Sequence, residues 1–369
     1  MANKIYLPDL YVETDKVILS RVKGSINLTS RDKNKNMINL NKINISKNQM
    51  WNFLDGMKLR GRSGKILSFQ KETTPKIAKL LGFIITDGSL LSTEGRVKLC
   101  QKDIGLIHDY LDIINREYET NLTFSFDGKE ANISSVPLRY ILNKYYKIPL
   151  GKKVRIVEVP LQIMVSEDKE ILKSFVAGLF DGDGYIQYYY LKNKPILDHA
   201  NFCISTSSNK LIKQTKQLLG RLGINCSISR RSDTGRLSLQ TAGFMNSWEF
   251  YKQIVPLLSH KKRRYSANKI FLGEDFLGKL TIPLNQELKN LFREIRIKKL
   301  DEELLNIKAR YKYIKSLRSV ESWTYPSNKG KIRSVYVYRA LKLLNKNPKG
   351  YIPREQLNLM ENNHNGIKS

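Results

Sequence analysis

Cysteine is scarce in this chain, three residues in 369. Cys100, Cys203 and Cys226 form no CxxC pair and match no zinc-ligand spacing, which excludes a disulfide framework and a thiolate zinc site. Reduced thiols of this kind fit an intracellular protein, cytoplasmic or organellar in a eukaryote. Histidine is also rare, four residues. Nothing suggests a histidine-based nuclease, and His108, on an expected helix, reads as structural. No apolar run approaches the roughly 18 residues of a membrane helix, and no charged segment followed by an apolar core opens the chain. Neither a membrane span nor a secretory leader is therefore expected. The phosphate-binding spacing G-x-x-x-x-G-K-[ST] is missing as well. Gly61-Arg62-Ser63-Gly64-Lys65 imitates it only superficially and reads as a basic linker or arm.

Acidic residues are outnumbered, 34 Asp and Glu against 64 Lys and Arg, for a net charge of +30. Such an excess speaks to partners rather than to fold. With the membrane set aside, the natural polyanion is nucleic acid, although a ribosome-associated or merely soluble basic protein would look similar. The basicity runs along the whole chain. Residues 1–74 carry 14 basic and 6 acidic side chains, 75–273 carry 30 and 18, and 274–369 carry 20 and 10. That distribution suits a long track of phosphate contacts better than one small pocket.

The first 73 residues read as a basic extension with some β-like stretches. From Thr74 the pattern becomes regular. Thr73 or Thr74 can cap a helix whose first turn takes Pro75. Residues 96–101 alternate as a strand, and Asp103 opens an amphipathic helix to about 118. Residues 122–127 and 131–134 form a hairpin near Asp127-Gly128, and Pro137 opens another helix. The order then recurs: a helix over 169–180, strands near 185–191 and 201–206, a helix over 209–222, strands over 225–231 and 235–241, and a helix near 245–255. This internal repeat predicts an α+β fold of two units, 74–166 and 167–273. Residues 274–369 read as a helical region that either binds DNA or is a solvated appendage.

Chemistry concentrates at the ends of the first helix of each repeat, LLGFIITDG at 80–88 and AGLFDGDG at 177–184. With the two aligned, Gly82 meets Gly178, Asp87 meets Asp183 and Gly88 meets Gly184, each pair 96 residues apart. Glycine inside a helix costs about 1 kcal/mol relative to alanine. Matched glycines therefore call for a reason. Gly82 and Thr86, like Gly178 and Gly182, are four apart and line one helix face. Two such faces let helix backbones approach closely, with both C-terminal ends converging. Each helix then presents an aspartate at its electronegative end, where an anion is disfavoured, and two adjacent carboxylates repel. Divalent cations between them relieve both penalties. Hard oxygen ligands suit Mg²⁺, or Mn²⁺ in its place, and a cation there can stabilise charge on a reacting phosphodiester.

These two segments resemble the motifs of the LAGLIDADG homing endonucleases, with the second close to the consensus. The first departs at its sixth position, where Ile85 replaces the usual acidic residue; that position serves the helix interface or a cap rather than the metal. The resemblance covers about 74–273. It implies tandem αββαββα repeats forming a pseudo-two-fold saddle, flanked by the N-terminal extension and the C-terminal helical region. It further implies a monomeric, metal-dependent endonuclease that cuts each strand of a long pseudo-palindromic duplex DNA site at one of two active sites, and encoding by an intron or as a free-standing gene. Asp87 and Asp183 would hold metal and act catalytically. Gln101 would organise solvent near one site, with Ser205 and Thr206 standing at the matching place in the second. Lys153 and Lys261 would lie near the scissile phosphates, with Lys152 and Lys262 as neighbours. Gly82, Gly178 and Gly182 would form the helix interface. Lys102, Tyr189, Arg230, Arg231 and Arg236 are candidate DNA contacts. An intron RNA maturase or a non-catalytic DNA-binding regulator on the same fold are the alternatives.

Overall fold

The computed structural model describes residues 10–13, 37–39, 47–61, 64–91, 95–190, 197–230, 235–271, 281–283, 286–297, 331–354 and 356–358. The chain divides into two compact units, Met1–Arg264 and Tyr265–Ser369.

The first unit opens with β1 (Leu10–Glu13), β2 (Met37–Asn39), α1 (Lys47–Leu54), β3 (Lys58–Gly61) and β4 (Ile66–Ser68). The four strands form one antiparallel sheet in the order β2-β1-β3-β4. Where β3 gives way to β4, Gly61 N–H donates to Lys65 O at 3.3 Å and Gly64 N–H donates to Gly61 O at 3.0 Å. This extension is tied to the first repeat by aromatic packing. The Trp51 ring lies 4.9 Å from Tyr145 and 5.9 Å from Tyr140.

The first repeat runs α2 (Pro75–Asp87), β5 (Gly88–Leu90), β6 (Arg96–Leu99), α3 (Ile104–Glu117), β7 (Phe124–Phe126), β8 (Ala131–Ser134) and α4 (Val136–Tyr140). A π-helical turn, Ile141–Tyr145, continues α4. After a short helix, α5 (Leu161–Met164), the second repeat runs α6 (Lys169–Asp183), β9 (Gly184–Tyr190), β10 (Leu197–Thr206), α7 (Asn209–Arg221), β11 (Cys226–Arg230), β12 (Leu237–Thr241) and α8 (Gly243–Gln253). Both repeats are thus αββαββα. Their antiparallel sheets share one strand order, β5-β6-β8-β7 and β9-β10-β12-β11. Even the register matches, since Gly88 pairs with Leu99 where Gly184 pairs with Ile204.

Local chemistry explains where the helices start. The Thr74 hydroxyl accepts from Ile77 N–H with Pro75 in the first turn, Asp103 accepts from Gly105 and Leu106 N–H, and Asp168 and Ser208 cap α6 and α7 in the same way. Alternation then assigns the sheet faces. In β6, Val97 and Leu99 are buried while Lys98 and Arg96 point away from the core.

One more helix follows the second repeat: α9 (Lys261–Phe271), which the apolar periodicity does not announce. The second unit contains the antiparallel pair β13 (Thr281–Pro283) and β14 (Lys331–Arg333), with α10 (Gln286–Ile297) and α11 (Ser334–Leu343). Leu288, Leu291, Val337, Leu341, Ile352 and Leu357 form its own apolar core. Of the charged stretch 287–316, whose composition predicts helix, the part up to Ile297 lies in α10 and the rest lies outside the described residues.

Candidate functional site

The site is built where α2 and α6 pack against each other through their small residues. A Cβ added at Gly82 would lie 2.7 Å from Leu179 N, and one at Gly178 would lie 2.9 Å from Lys79 C and 3.0 Å from Phe83 N. These are backbone atoms, so no rotamer change could relieve the clash. One turn further on, a Cβ at Gly182 would lie 2.6 Å from Thr86 Cβ and 3.4 Å from Asp87 Cγ. All three glycines expected at the interface are there, and Thr86 supplies the fourth small position. Its hydroxyl folds back to donate to Phe83 O at 3.0 Å or Gly82 O at 3.2 Å, which keeps it compact.

Both helices end on the aspartate and pass directly into a strand. Gly88 and Gly184 are extended, φ −90° and −79°, rather than left-handed. Glycine is needed there for close approach: a Cβ at Gly88 would sit 2.8 Å from Ile84 Cα. The Asp-Gly pair is therefore a helix-to-strand step and not an ordinary left-handed C-cap.

Asp87 and Asp183 converge at these helix ends. Burial, followed by the charge of Asp183, pushes the Asp87 carboxyl up to about 7, against the lowering pull of Arg263, Lys153 and a hydrogen bond from Gln101. Burial also raises Asp183, opposed by Arg263, Lys153 and Arg236. Two carboxylates thus share one basic setting.

Gln101 lies beside Asp87. Its Oε1 accepts from Lys102 N–H at 2.8 Å and Asp103 N–H at 3.2 Å, which fixes the amide so that Nε2 donates to Asp87 Oδ2 at 3.2 Å. In the second repeat, Thr206 Oγ1 instead accepts from Ser208 N–H, and Ser205 Oγ is buried without a hydrogen-bond partner. Neither takes the place that Gln101 holds.

Lys153 is buried, with Nζ donating to Ile84 O in the last turn of α2. Burial lowers its ammonium to about 8, while Asp87 and Asp183 pull it upward. The matching carbonyl on α6 is Phe180 O, and the group that reaches it is Arg263, not Lys261. Arg263 Nη1 donates to Phe180 O and Asp181 O, and Nη2 donates to Gly182 O at 2.7 Å. Lys261 begins α9 and is exposed. Two positions further along the helix, the side chain turns to a different face, and only Arg263 meets α6. Lys152 and Lys262 are likewise exposed.

Of the candidate DNA contacts, Lys102, Arg230 and Arg236 are exposed, and Arg236 lies near enough to lower Asp183. Tyr189 is half-buried on β9, opposite His199. Arg231 lies outside the described residues. His108 is exposed, with its ring 4.9 Å from Phe124.

Asp181 stands at the sixth motif position, for which the resemblance implies an interface or capping role, but its partners are not legible in the sequence. It is fully buried and accepts from Tyr110 OH at 2.8 Å and from Ser259 and His260 N–H at 3.0 Å each, with Lys79 Nζ 3.8 Å away. A buried carboxylate needs this many donors. Its first-repeat counterpart, Ile85, is simply apolar and buried.

The donor chemistry fits a hard divalent cation. Two carboxylates meet at the negative ends of two helices, and Gln101 stands alongside. Among the described residues no cluster of three or more His, Cys, Asp or Glu side chains occurs. A cation at Asp87 and Asp183 would therefore complete its shell with carbonyl, water or phosphate oxygens, as Mg²⁺ commonly does.

Residues 170–255 match the family of LAGLIDADG-like domains. An A-type ATP synthase chain of Pyrococcus abyssi is 26% identical over 176 residues, 46% of this chain and 15% of that one. The chain thus spans under a sixth of the length of that curated relative. Among solved structures, the homing endonuclease I-DmoI in complex with DNA and Mn aligns at 18% identity, covering 50% of this chain and 97% of its own, with a TM-score of 0.37. The homing endonuclease I-WcaI bound to its DNA recognition sequence aligns at 13% identity, covering 52% and 85%, also with a TM-score of 0.37.

Proposed function

We propose that this chain, whose residues 170–255 match the family of LAGLIDADG-like domains, is a site-specific, metal-dependent endonuclease acting on double-stranded DNA as a monomer. One observation carries the reading. Two carboxylates, one from each repeat, meet at the ends of helices whose backbones touch, and each lies within electrostatic reach of the same two cations, buried Lys153 and half-buried Arg263. Carboxylates are not placed at helix C-termini, and not beside each other, without a compensating charge.

Each repeat brings one aspartate and one cation, Lys153 in the first and Arg263 in the second, and the first also brings Gln101. Asp87 and Asp183 would hold divalent metal, Mg²⁺ or Mn²⁺, and the metal would supply positive charge to a scissile phosphate and its leaving oxygen. Gln101, locked by two backbone N–H groups, orients polar partners beside Asp87. Lys153 and Arg263 place fixed positive charge at the end of each motif helix, where negative charge grows during phosphodiester hydrolysis. The net charge of +30 supports binding to a long phosphate track.

The test is cleavage of a randomised duplex library with Mg²⁺ or Mn²⁺, compared with EDTA. Sequence-specific double-strand breaks that disappear in Asp87→Asn and in Asp183→Asn are expected. Specific DNA binding with no cleavage in either metal would instead make the protein a regulator. Stimulation of RNA splicing without DNA cleavage would make it a maturase.

A further inference from the structure

Two cations, buried Lys153 and half-buried Arg263, close the ends of α2 and α6, but they are delivered by different devices. In the first repeat the segment before Lys153 is held without a carboxylate: Leu90 bridges Leu150, Gly151 N–H donates to Leu90 O at 2.8 Å, and Asn143 Nδ2 donates to Ile148 O at 2.8 Å. In the second repeat the segment before Arg263 is held by a side chain. Asp181 Oδ2 accepts from Ser259 N–H and Asp181 Oδ1 from His260 N–H, both at 3.0 Å, and Arg264 N–H then donates to His260 O as α9 begins. The carboxylate thus stands at the N-terminal end of α9, where partial positive charge favours it.

We propose that Asp181 is a positioning residue: it anchors the Ser259–His260 backbone and so sets the register of α9 that delivers the Arg263 guanidinium to Phe180, Asp181 and Gly182 O beside the paired aspartates. The proposal rests on the endonuclease reading for its effect on rate, though not for its geometry. Only a carboxylate meets the requirement. Tyr110 OH and Ser259 N–H both point at Oδ2 while His260 N–H points at Oδ1. An asparagine that kept its oxygen toward the first pair would turn its NH₂ against the His260 N–H, donor to donor. Freed of that hold, α9 can shift, and a displacement of about 1 Å in a positioning group can cost on the order of a hundredfold in rate. Ile85 at the matching place in the first repeat cannot play this part, so the dependence falls on one half.

The experiment measures single-turnover cleavage, DNA affinity in Ca²⁺ and side-chain hydrogen exchange of ¹⁵N-labelled arginine in the full chain. Asp181→Asn is expected to slow cleavage about a hundredfold, to leave DNA affinity within about threefold, and to expose Arg263 Nη protons that exchange slowly in the unaltered protein. It should add nothing to Arg263→Ala, and the two strands should be cut at diverging rates, so that nicked plasmid accumulates. Tyr110→Phe, which leaves both backbone anchors in place, should cleave within about threefold of the unaltered rate. Full activity and full Arg263 protection in Asp181→Asn would overturn the proposal, as would independent multiplication with Arg263→Ala or an equal loss in Tyr110→Phe. If the unaltered protein cuts no DNA, the endonuclease reading fails, while the Arg263 exchange comparison still decides the positioning. Should Asp181→Asn not fold, Asp181→Leu combined with Lys79→Met removes both charges together; because Lys79 Nζ also donates to Ser259 Oγ at 2.7 Å, its readouts are compared with those of Lys79→Met alone.

Discussion

Replacing Gly178 with alanine sets two opposing effects against each other. Alanine is the better helix former by about 1 kcal/mol, so on helix propensity alone the substitution should stabilise. The new methyl, however, would lie 2.9 Å from Lys79 C and 3.0 Å from Phe83 N, inside the roughly 3.5–4.0 Å at which carbon atoms pack best. Crowding a packed interior costs about 1–3 kcal/mol when side chains can move aside. Here the obstacle is a helix backbone, so α2 and α6 must separate and lose contacts along the whole crossing. We expect a net loss of about 2 kcal/mol or more, which for a unit of this size lowers Tm by roughly 4–8 °C. Gly220, in α7, is the matched control. It is exposed, and a Cβ there meets nothing within 4 Å, so Gly220→Ala should raise stability by up to about 1 kcal/mol. Thermal melting followed by circular dichroism reads both. A Gly178→Ala protein that melts at or above the unaltered one would refute the close crossing, and with it the convergence of the two aspartates.

Three further outcomes follow from the same geometry. In the metal-free protein Asp87 binds its proton more tightly folded, near pH 7, than unfolded, near 3.8. Its contribution is therefore complete below the unfolded value and declines as pH rises to about 7; melting from pH 5 to 8 should show that decline, and Asp87→Asn or saturating Mg²⁺ should flatten it. Removing the Lys153 charge with Lys153→Met should reduce single-turnover cleavage by about a hundredfold or more with little change in DNA affinity; unchanged cleavage would remove Lys153 from the site. Affinity for duplex DNA should fall by roughly a thousandfold between 50 and 200 mM salt, and a flat salt dependence would contradict phosphate-track binding.

Much of this architecture is legible in the sequence because its signals are local. Thr74-Pro75, Asp103, Asp168 and Ser208 each mark a helix start by capping chemistry, and the strands that follow alternate cleanly. The paired Gly and Asp positions expose the crossing because a costly residue recurs at a fixed spacing. What escapes is set by distance in space. Ile84 and Phe180 are 96 residues apart, as the repeat requires, but the cations that meet their carbonyls, Lys153 and Arg263, are 110 apart. Counting 96 residues on from Lys153 reaches Glu249, and matching lysine to lysine late in each repeat points to Lys261. The helix that carries Arg263 has little apolar periodicity to announce it, and the burial of Asp181 depends on Tyr110 and His260, both far away in sequence.

Ile85 and Asp181 occupy equivalent places yet share no chemistry. A pair of identical chains could not hold that difference, because any change made once would appear twice. Fusing the two halves into one polypeptide lets each change be tried alone. One half has kept a fully buried acid and an arginine, the other an aliphatic side chain and a lysine, and each could be tuned toward a different half of an asymmetric target.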